Sequence, residues 1–297
     1  MELTAAVENG GLDELDALIP KWLEAEYVDR YDPGRHASVQ SDVHASHVAE
    51  CQRKEYWLHE NGKSPEASPY FALGNDIEDR YGDALREEFG GKRVRQDVGC
   101  TIFLPKRDED GHIRLVGESD YVIFDHPAAG RGHVVYDVDT GARFARGAYN
   151  EETEGYPTRS EALSWDTYTG CIERVVETKT IKALKWLDRY NRRGFRPKHR
   201  YQLGTYQKAF DAPGELTYIT RNELDERRYF VPQEPNVWLE IMQRAYLHHS
   251  NRGRDVIPET DPLHDTSACM RFCPFANECK KVGGSMWDDE DEDDAGL

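Results

Sequence analysis

Three strand-like segments limit the fold of this chain more than any other feature of its sequence. Two of them, VRQDVGCTIFL and IRLVGESDYVIFD, lie between about residues 92 and 125 and are separated by the polar turn KRDEDG. The third, CIERVVETKT, follows at residues 171–180. Apolar and β-branched runs bounded by turn residues are typical of strands, so we predict a β-meander and then a further strand.

Segments with helical character lie on both sides of these strands. Upstream, Leu73, Ile77, Tyr81 and Leu85 form one apolar stripe, which predicts a helix that packs on the rest of the domain. Downstream, a basic segment of helical character runs to about residue 210, and the strand LTYITR and the helix NVWLEIMQRAYLHH follow it.

Three segments are predicted to lie outside the main body of the domain. Residues 1–40 are interpreted as a peripheral, acidic, amphipathic helix with a polar loop. Within the domain at 41–282, residues 126–170 are rich in Gly, Asp and Glu and are interpreted as an insertion with a hairpin at HVVYDVDTGARFAR. The tail at 283–297 contains seven consecutive acids and is predicted to be disordered.

The composition indicates a protein of salt-rich cytoplasm. The chain has 56 acidic and 38 basic residues, a net charge of -18 and only 12 lysines. A hydrated acidic surface keeps proteins soluble in concentrated salt, so we predict a halophilic protein. Sixteen Tyr, ten Phe and six Trp are too many aromatic residues for a disordered chain. We find no apolar run of about 20 residues and no signal peptide, which predicts a cytoplasmic protein that does not associate with a membrane.

The strand VVETKT carries the first candidate site. Side chains alternate along a strand, so Glu177 and Lys179 share one face while Val176 and Thr178 pack behind them. An ion pair on a half-solvated sheet is one interpretation. The other includes Asp120 of GESDYVIFD, because two acids and a lysine on adjacent strands suit a hard divalent cation such as Mg²⁺ or Mn²⁺. The lysine would then act on a metal-bound water and offset charge on a phosphate.

The order of these motifs resembles the PD-(D/E)xK nuclease superfamily. G-x-x-D ends at Asp120, E-x-K follows at Glu177 and Lys179, and Q-x-x-x-Y runs from Gln202 to Tyr206. The last motif is similar to that of the RecB-type branch. The resemblance implies an α/β, restriction-endonuclease-like core with a mixed sheet flanked by helices. The chain contains no Walker A sequence, so it carries no motor of its own.

The resemblance also implies roles for individual residues. In the RecB-type branch, a helix before the sheet carries G-x-x-x-H, whose histidine binds metal, whereas this chain has Glu78 four residues after Gly74. Glutamate is also an oxygen ligand, so the substitution is chemically acceptable. The implied metal ligands are Glu78, Asp120, Glu177 and the carbonyl of Thr178, and the implied catalytic residues are Asp120, Glu177, Lys179, Gln202 and Tyr206. For Gln202, Tyr206 and His199, an ordinary amphipathic helix face with a satisfied core histidine is the alternative.

The six cysteines indicate which branch of the superfamily the chain resembles. In a cytoplasmic chain they favour metal binding or catalysis over disulfides. One cysteine in the N-terminal region and three near the C-terminus resemble the iron-sulfur RecB-like exonucleases, above all CRISPR-associated protein 4 and its viral relatives. The implied [4Fe-4S] ligands are Cys51, Cys269, Cys273 and Cys279. The family's closing spacing is usually C-x2-C-x5-C and here it is C-x3-C-x5-C, so a zinc site of the same cysteines is the alternative. Cys100 and Cys171 are interpreted as inert buried thiols.

A basic segment follows the E-x-K strand. Ten lysines and arginines but one acid, Asp188, lie between Lys179 and Lys208. The predicted DNA-binding residues are Arg189, Arg192, Arg193, Arg196, Lys198 and Arg200. The aromatic residues between them are predicted to stack on unpaired bases: Trp186, Tyr190, Phe195, Tyr201 and Tyr206. A solvated basic helix that balances acids elsewhere is the alternative.

Together these features predict a metal-dependent DNA nuclease. By resemblance, it acts on single-stranded DNA or overhangs as an exonuclease with Mn²⁺ or Mg²⁺ and a [4Fe-4S] cluster. The implied roles are spacer acquisition beside the CRISPR integrase complex, or recombination and repair. The alternative is a catalytically inactive iron-sulfur protein that binds nucleic acid or serves as a scaffold.

Overall fold

The fold is described from a computed structural model. It describes residues 42–48, 50–61, 69–105, 112–126, 132–146, 156–170, 172–189, 195–221, 223–251, 257–258, 273 and 275–282. Several sequence predictions lie outside these residues: the helix at 1–40, the tail at 283–297, Cys171, Cys269, Tyr190, Arg192 and Arg193.

One mixed sheet forms the centre of the described chain. Its strands are β1 Val43–His44, β2 Val94–Pro105, β3 His112–Phe124, β4 His133–Asp137, β5 Arg143–Arg146, β6 Asp166–Thr167, β7 Ile172–Ile181, β8 Gly214–Thr220 and β9 Glu226–Val231. Their order across the sheet is β6-β5-β4-β2-β3-β7-β8-β9, and β1 pairs with β3. The antiparallel β2–β3 pair confirms the predicted meander.

Helices flank this sheet. They are α1 Ala45–Val48, α2 Gln52–Asn61, α3 Pro69–Phe89, α4 Arg159–Ala162, α5 Pro197–Phe210, α6 Pro235–Asn251 and α7 Ala276–Val282, with a 3₁₀ helix at Leu184–Arg189. No helix in the described ranges is both long and apolar enough to cross a bilayer. The chain therefore has the predicted α/β architecture, a mixed sheet with helices against it.

Strand β7 separates the two helical layers. Val176 packs with Ile77 and Tyr81 of α3, whereas Val175 belongs to the larger core that includes Leu203 of α5. Neighbouring residues of a strand point to opposite faces. Helix α3 therefore covers one face of the sheet, and α5 covers the other.

The parallel pairing of β7 with β8 places α5 beside the E-x-K strand. Thr178 lies opposite Thr217 in this pair. Parallel neighbours need a crossover connection, and here the chain between them contains the 3₁₀ helix and α5. The Q-x-x-x-Y helix is thus brought to the face of β7 opposite α3.

The described strands of the segment at 126–170, which the sequence suggested to be an insertion, are integrated in the sheet. Strands β4 and β5 form the predicted hairpin, with Val134 opposite Ala145. Strand β4 also pairs in parallel with β2, and Val134 and Val135 are completely buried. This segment therefore extends the sheet beyond β2 and contributes to the core.

Candidate active site

Strands β3 and β7 diverge beside Asp120. Their antiparallel pairing runs from Phe124 opposite Ile172 to Tyr121 opposite Val176, where it ends. The hydroxyl of Ser119 donates to the carbonyls of Tyr121 at 3.0 Å and Val176 at 3.3 Å. The backbones beyond this point are free to separate, which leaves a fork between the strands.

The Asp120 side chain fills this fork. Its Oδ2 accepts a hydrogen bond from the backbone N–H of Thr178 at 2.6 Å and another from the Thr178 hydroxyl at 2.7 Å. Oδ1 has no hydrogen bond to the described residues. One carboxylate oxygen is therefore fixed by β7, and the other remains available to a ligand.

Glu177 and Lys179 lie together on the face of β7 that α5 covers. The Lys179 ammonium donates to Oε1 of Glu177 in a direct ion pair. Glu177 is completely buried, whereas the Lys179 side chain is 25 % exposed. The shared face predicted from the sequence is confirmed, and so is the ion pair.

The other Glu177 oxygen is a buried group without a partner. Oε2 has no hydrogen bond within the described part of the chain. Burial, and then the negative charge of Asp120, raise the pKa of Glu177 to about 8 despite the nearby Lys179. A buried carboxylate oxygen of this kind is unfavourable unless something else coordinates it.

Helix α3 brings Glu78 to the same cluster. Burial raises the pKa of Glu78 to about 9, with further contributions from Asp120 and Glu177 against that of Lys179. The Tyr121 hydroxyl donates to the Glu78 carbonyl at 2.6 Å and so ties this turn of the helix to β3. The position predicted to replace the family's histidine therefore lies near enough to these residues for their charges to affect it.

Two glycines let α3 lie close to the sheet on either side of Glu78. A Cβ on Gly74 would be 3.3 Å from the Thr180 hydroxyl, and one on Gly82 would be 2.5 Å from the Tyr121 hydroxyl. Residues 74, 78 and 82 share one helix face because they are four apart. The first glycine therefore serves close packing against β7.

Asp97 is a fourth acid that the sequence analysis missed. In the β2–β3 register, Gln96 pairs with Tyr121 and Val98 with Ser119, which leaves Asp97 across from Asp120. Its backbone is left-handed, with φ of 53°. Surrounding protein atoms, and then Asp120 and Asp79, raise the pKa of Asp97 to about 6 although its side chain lies at the surface. The signal in the sequence was slight, an acid within a strand-like run.

Tyr206 packs against the glycine of the G-x-x-D motif. A Cβ on Gly117 would be 2.9 Å from Cε1 of Tyr206 and 2.9 Å from the Cβ of Ala45. Gln202 Nε2 donates to the Tyr206 hydroxyl at 3.2 Å. The pKa of Tyr206 is raised well above its usual value by burial, followed by the charge of Glu177. The two motifs are therefore in contact, with Gln202 the partly exposed member of its pair.

Three of the five aromatic residues in the basic segment are core residues, whereas Tyr190 and the side chain of Trp186 lie outside the described part of the chain. Tyr206 is completely buried, and Phe195 and Tyr201 are 7 % and 9 % exposed. This corrects the expectation that these rings stack on unpaired bases or approach DNA, because buried rings offer no face to a strand. His199 is likewise a satisfied core histidine, with Nδ1 2.8 Å from the Tyr218 hydroxyl.

The predicted DNA-binding cations have mixed environments. Lys198 lies 3.5 Å from Glu50, and Arg200 forms an ion pair with Glu234. Arg189 ends the 3₁₀ helix, and the Arg196 backbone N–H donates to the Tyr218 hydroxyl at 3.2 Å. These pairs show that part of the positive charge is already balanced within the chain.

The segment before α2 and the segment that includes α7 meet at three cysteines, Cys51, Cys273 and Cys279. Burial raises the pKa of Cys279, and the neighbouring Cys273 and Cys51 raise it further. The three cysteines form no disulfide; Cys51 lies directly before α2, Cys273 lies shortly before α7, and Cys279 lies within α7. By contrast, Cys100 is completely buried on β2, as the sequence predicted.

Among the described residues, neither the acidic cluster nor the thiol cluster is compact enough to hold a metal ion as it stands. No three His, Cys, Asp or Glu side chains among the described residues lie close enough together to hold an ion as they stand. The acids and the thiols are gathered on separate parts of the fold, so they form two distinct clusters.

No family model matches this sequence, and no curated protein matches it. Among solved structures, the fold is similar to that of SSO0001, with a TM-score of 0.50 and 16 % identity over 90 % of this chain and 95 % of that one. A phage-related exonuclease from Haemophilus somnus 129PT gives a TM-score of 0.40 and 9 % identity over 71 % and 93 % of the two chains. The likeness to SSO0001 is one of fold alone.

Fold and site together define a class. The chain is an α/β protein with a mixed sheet flanked by helices, in which acidic residues and one lysine gather where β3 and β7 diverge.

Proposed function

We propose that this protein is a metal-dependent DNA nuclease of the PD-(D/E)xK type, which hydrolyses phosphodiester bonds. The observation that carries the proposal is the buried Glu177, whose Oε2 has no partner in the described chain although Asp120 and Lys179 are close by. A stable fold seldom buries such a group without use. The convergence of motifs that are far apart in sequence supports the same conclusion.

The acidic residues have the chemistry of a site for Mg²⁺ or Mn²⁺. Glu78, Asp120 and Glu177 would hold the ion, with the Thr178 carbonyl as a further ligand by resemblance. All are hard oxygen donors, and the available Oδ1 of Asp120 and Oε2 of Glu177 fit this role. When bound, a divalent cation neutralises phosphate charge and lowers the pKa of a water ligand.

The remaining residues orient the metal ligands and offset their negative charge. Thr178 fixes the Asp120 carboxylate through two hydrogen bonds to one oxygen. Lys179 keeps a positive charge beside Glu177, because that carboxylate and Asp120 raise the pKa of its ammonium against the effect of burial. An ammonium in this position offsets negative charge that develops on a phosphate during hydrolysis. On α5, Gln202 donates a hydrogen bond to Tyr206.

The substrate and cofactor follow from the resemblance to the iron-sulfur RecB-like exonucleases. We propose single-stranded DNA or an overhang as substrate, exonucleolytic cleavage, and a [4Fe-4S] cluster on Cys51, Cys269, Cys273 and Cys279. Three of these thiols converge in the structure, which supports the set. A role in spacer acquisition beside the CRISPR integrase, or in recombination and repair, is part of the same proposal.

A catalytically inactive nucleic-acid-binding protein is the second candidate. The observation that favours it is the ion pair between Lys179 and Glu177, which balances the two charges without an added ion. Such a protein would keep the fold and the thiols but would not turn over DNA.

The decisive experiment is incubation of the purified protein with end-labelled single-stranded DNA in concentrated salt, with and without Mn²⁺. We expect Mn²⁺-dependent shortening from an end by the wild type and none by Glu177→Gln or Lys179→Ala. Loss of a metal carboxylate costs several kcal/mol of barrier, and about 1.4 kcal/mol is already tenfold in rate.

Glu173→Gln is the matched control. Glu173 lies on the same strand, but its carboxylate pairs with Arg93 and Arg174, so this variant should cleave like the wild type. DNA binding without cleavage by the wild type in Mn²⁺ would favour the inactive protein. Near wild-type cleavage by Glu177→Gln would remove Glu177 from the site.

A further inference from the structure

A buried glutamate that the proposed mechanism does not use lies beneath helix α3. Glu215 of β8 is only 4 % exposed. It lies opposite Val176 of β7, and Thr217 lies opposite Thr178 in the same parallel pair. Paired residues of parallel strands point to the same face of the sheet. Glu215 and Thr217 therefore share with Val176 the face that α3 covers.

The hydroxyl of Tyr81, on α3, meets this glutamate. It donates to Oε1 of Glu215 at 3.1 Å and lies 3.1 Å from the Thr217 hydroxyl, which donates to the same Oε1 at 3.1 Å. The guanidinium of Arg174 pairs with Oε2 of Glu215 at 2.8 Å. Burial, and then the charge of Glu215, raise the pKa of Tyr81 above its usual value, so its hydroxyl keeps the proton that it donates. Both oxygens of Glu215 are therefore engaged, and one of them holds α3.

Tyr81 lies one turn of α3 beyond the candidate ligand Glu78. Residues three apart are neighbours on the surface of an α-helix, so the two side chains move with the same short piece of backbone. The Tyr121 hydroxyl donates to the Glu78 carbonyl at 2.6 Å, and the rings of Tyr81 and Tyr121 meet edge to face with their centroids 6.3 Å apart. This part of α3 is thus attached to β3 by Tyr121 and to β8 by Tyr81.

The buried polar network adds direction more than stability. The attraction within a buried ion pair is largely offset by the lost hydration of its charges, and a phenylalanine at position 81 would fill the same space against Ile77. Hydrogen bonds, by contrast, have narrow limits of distance and angle. They fix both the rotation of α3 and its distance from the sheet. A metal site needs this accuracy, because its ligands have to be held to within about 0.5 Å.

We propose that Tyr81 is a positioning residue for the candidate metal site. Its hydrogen bonds to Glu215 and Thr217 hold α3 where the Glu78 carboxylate can share a divalent cation with the acids of the fork. Tyr81 is not a ligand itself and acts through Glu78 alone. The inference rests on the proposed function, because it takes Glu78 as a ligand of that cation.

A double-mutant cycle on Mn²⁺ affinity tests the inference without an activity assay. The protein is freed of divalent cations with EDTA and titrated calorimetrically with Mn²⁺ in about 1 M salt, which screens the acidic surface. Tyr81→Phe removes only the hydroxyl, and we expect it to weaken Mn²⁺ binding roughly tenfold, as is usual when a residue that orients a metal ligand is lost. In the Glu78→Gln background the same change should leave the affinity as it is, because the carboxylate that Tyr81 positions is absent. A residue that only stabilised the fold would lower the Tm in both backgrounds without changing the affinity in either.

Tyr201→Phe is the matched control. It removes another hydrogen bond from a tyrosine to a glutamate, the one from Tyr201 on α5 to Glu240 at 2.6 Å, and should leave the Mn²⁺ affinity unchanged. A second pair of variants keeps the test open if Tyr81→Phe folds poorly. Thr217→Val removes the other partner of the Tyr81 hydroxyl and should weaken Mn²⁺ binding severalfold, whereas Thr217→Ser keeps that partner and should bind like the wild type.

Three results would overturn the inference: an unchanged Mn²⁺ affinity in Tyr81→Phe, the same loss with and without Glu78, or an equal loss in Tyr201→Phe. Cleavage assays on the same samples separate the two proposals. Coupling between positions 78 and 81 with no cleavage by the wild type would sustain the positioning role and refute the nuclease. Cleavage with independent effects of the two changes would do the reverse, and a wild type that binds no Mn²⁺ would overturn both.

Discussion

Thr178 holds Asp120 through two hydrogen bonds to a single carboxylate oxygen, one from its backbone N–H at 2.6 Å and one from its hydroxyl at 2.7 Å. Asp120 is on β3 and Thr178 is on β7, at the point where the two strands cease to pair. The contact thus replaces a sheet hydrogen bond and turns a gap between strands into a fixed carboxylate.

Thr178→Val tests this contact. The variant keeps the backbone donor and the β-branched shape but removes the hydroxyl donor. Hydrogen bonds to charged groups contribute about 1.5 kcal/mol or more, so we expect roughly a tenfold loss of cleavage rate. Thr178→Ser retains the donor and should stay near the wild-type rate. Equal losses in both variants would mean that the hydroxyl does not orient Asp120.

Stability without divalent cations should fall as the pH rises. The pKa of Glu177 is raised to about 8 and that of Glu78 to about 9 from 4.5. The native state therefore keeps protons that the unfolded state loses between about pH 5 and 8, and this favours the native state most at low pH. In urea titrations with EDTA, Glu177→Gln should lose less unfolding free energy between pH 5.5 and 8.5 than the wild type, by at least about 1.4 kcal/mol. The same pH slope in both proteins would contradict the raised pKa.

Gly117→Ala should destabilise the fold. Its Cβ would lie 2.9 Å from both the Tyr206 ring and Ala45, and overpacking of this kind costs about 1–3 kcal/mol. We expect a fall in Tm of roughly 2–4 °C per kcal/mol. Gly91→Ala is the control, because a Cβ there meets nothing within 4 Å. An unchanged Tm for Gly117→Ala would show that α5 can move away from β3.

The thiol cluster predicts which cysteines hold iron. Anaerobically prepared wild type should be brown and contain about four irons per chain. Cys51→Ser and Cys279→Ser should lose both colour and iron, whereas Cys100→Ala should retain them because Cys100 is buried on β2. Stoichiometric zinc without iron would instead favour a structural zinc site.

If the basic segment binds DNA, removal of its arginines should weaken DNA binding and make the binding less dependent on salt. Replacing Arg192, Arg193 and Arg196 together by Ala should weaken single-stranded DNA binding severalfold, measured with divalent cations withheld. The slope of log affinity against log salt should fall by about 2, since each phosphate contact on a single strand contributes about 0.7. The control triple of exposed lysine-to-alanine changes is Lys92, Lys280 and Lys281. Equal affinity in the arginine variant would mean that DNA enters by another surface.

Local patterns in the sequence determined much of the architecture. The β2–β3 meander, the hairpin of β4 and β5, and helix α3 with buried Ile77 and Tyr81 match the predicted elements. Strand alternation alone placed Glu177 and Lys179 on one face. These features depend on near neighbours in the chain, which is why sequence periodicity reveals them.

The tertiary structure decided the features that depend on distant residues. Asp97 joins the acids only because the β2–β3 register sets it across from Asp120 with a left-handed backbone. Phe195 and Tyr201 looked like a stacking surface in the sequence, yet the packing of α5 buries them. Burial and strand register are properties of the whole folded chain, so the amino-acid pattern around one residue does not reveal them. The sequence by itself determined most of the residues that could form the site, and the three-dimensional packing decided which of them meet and added Asp97.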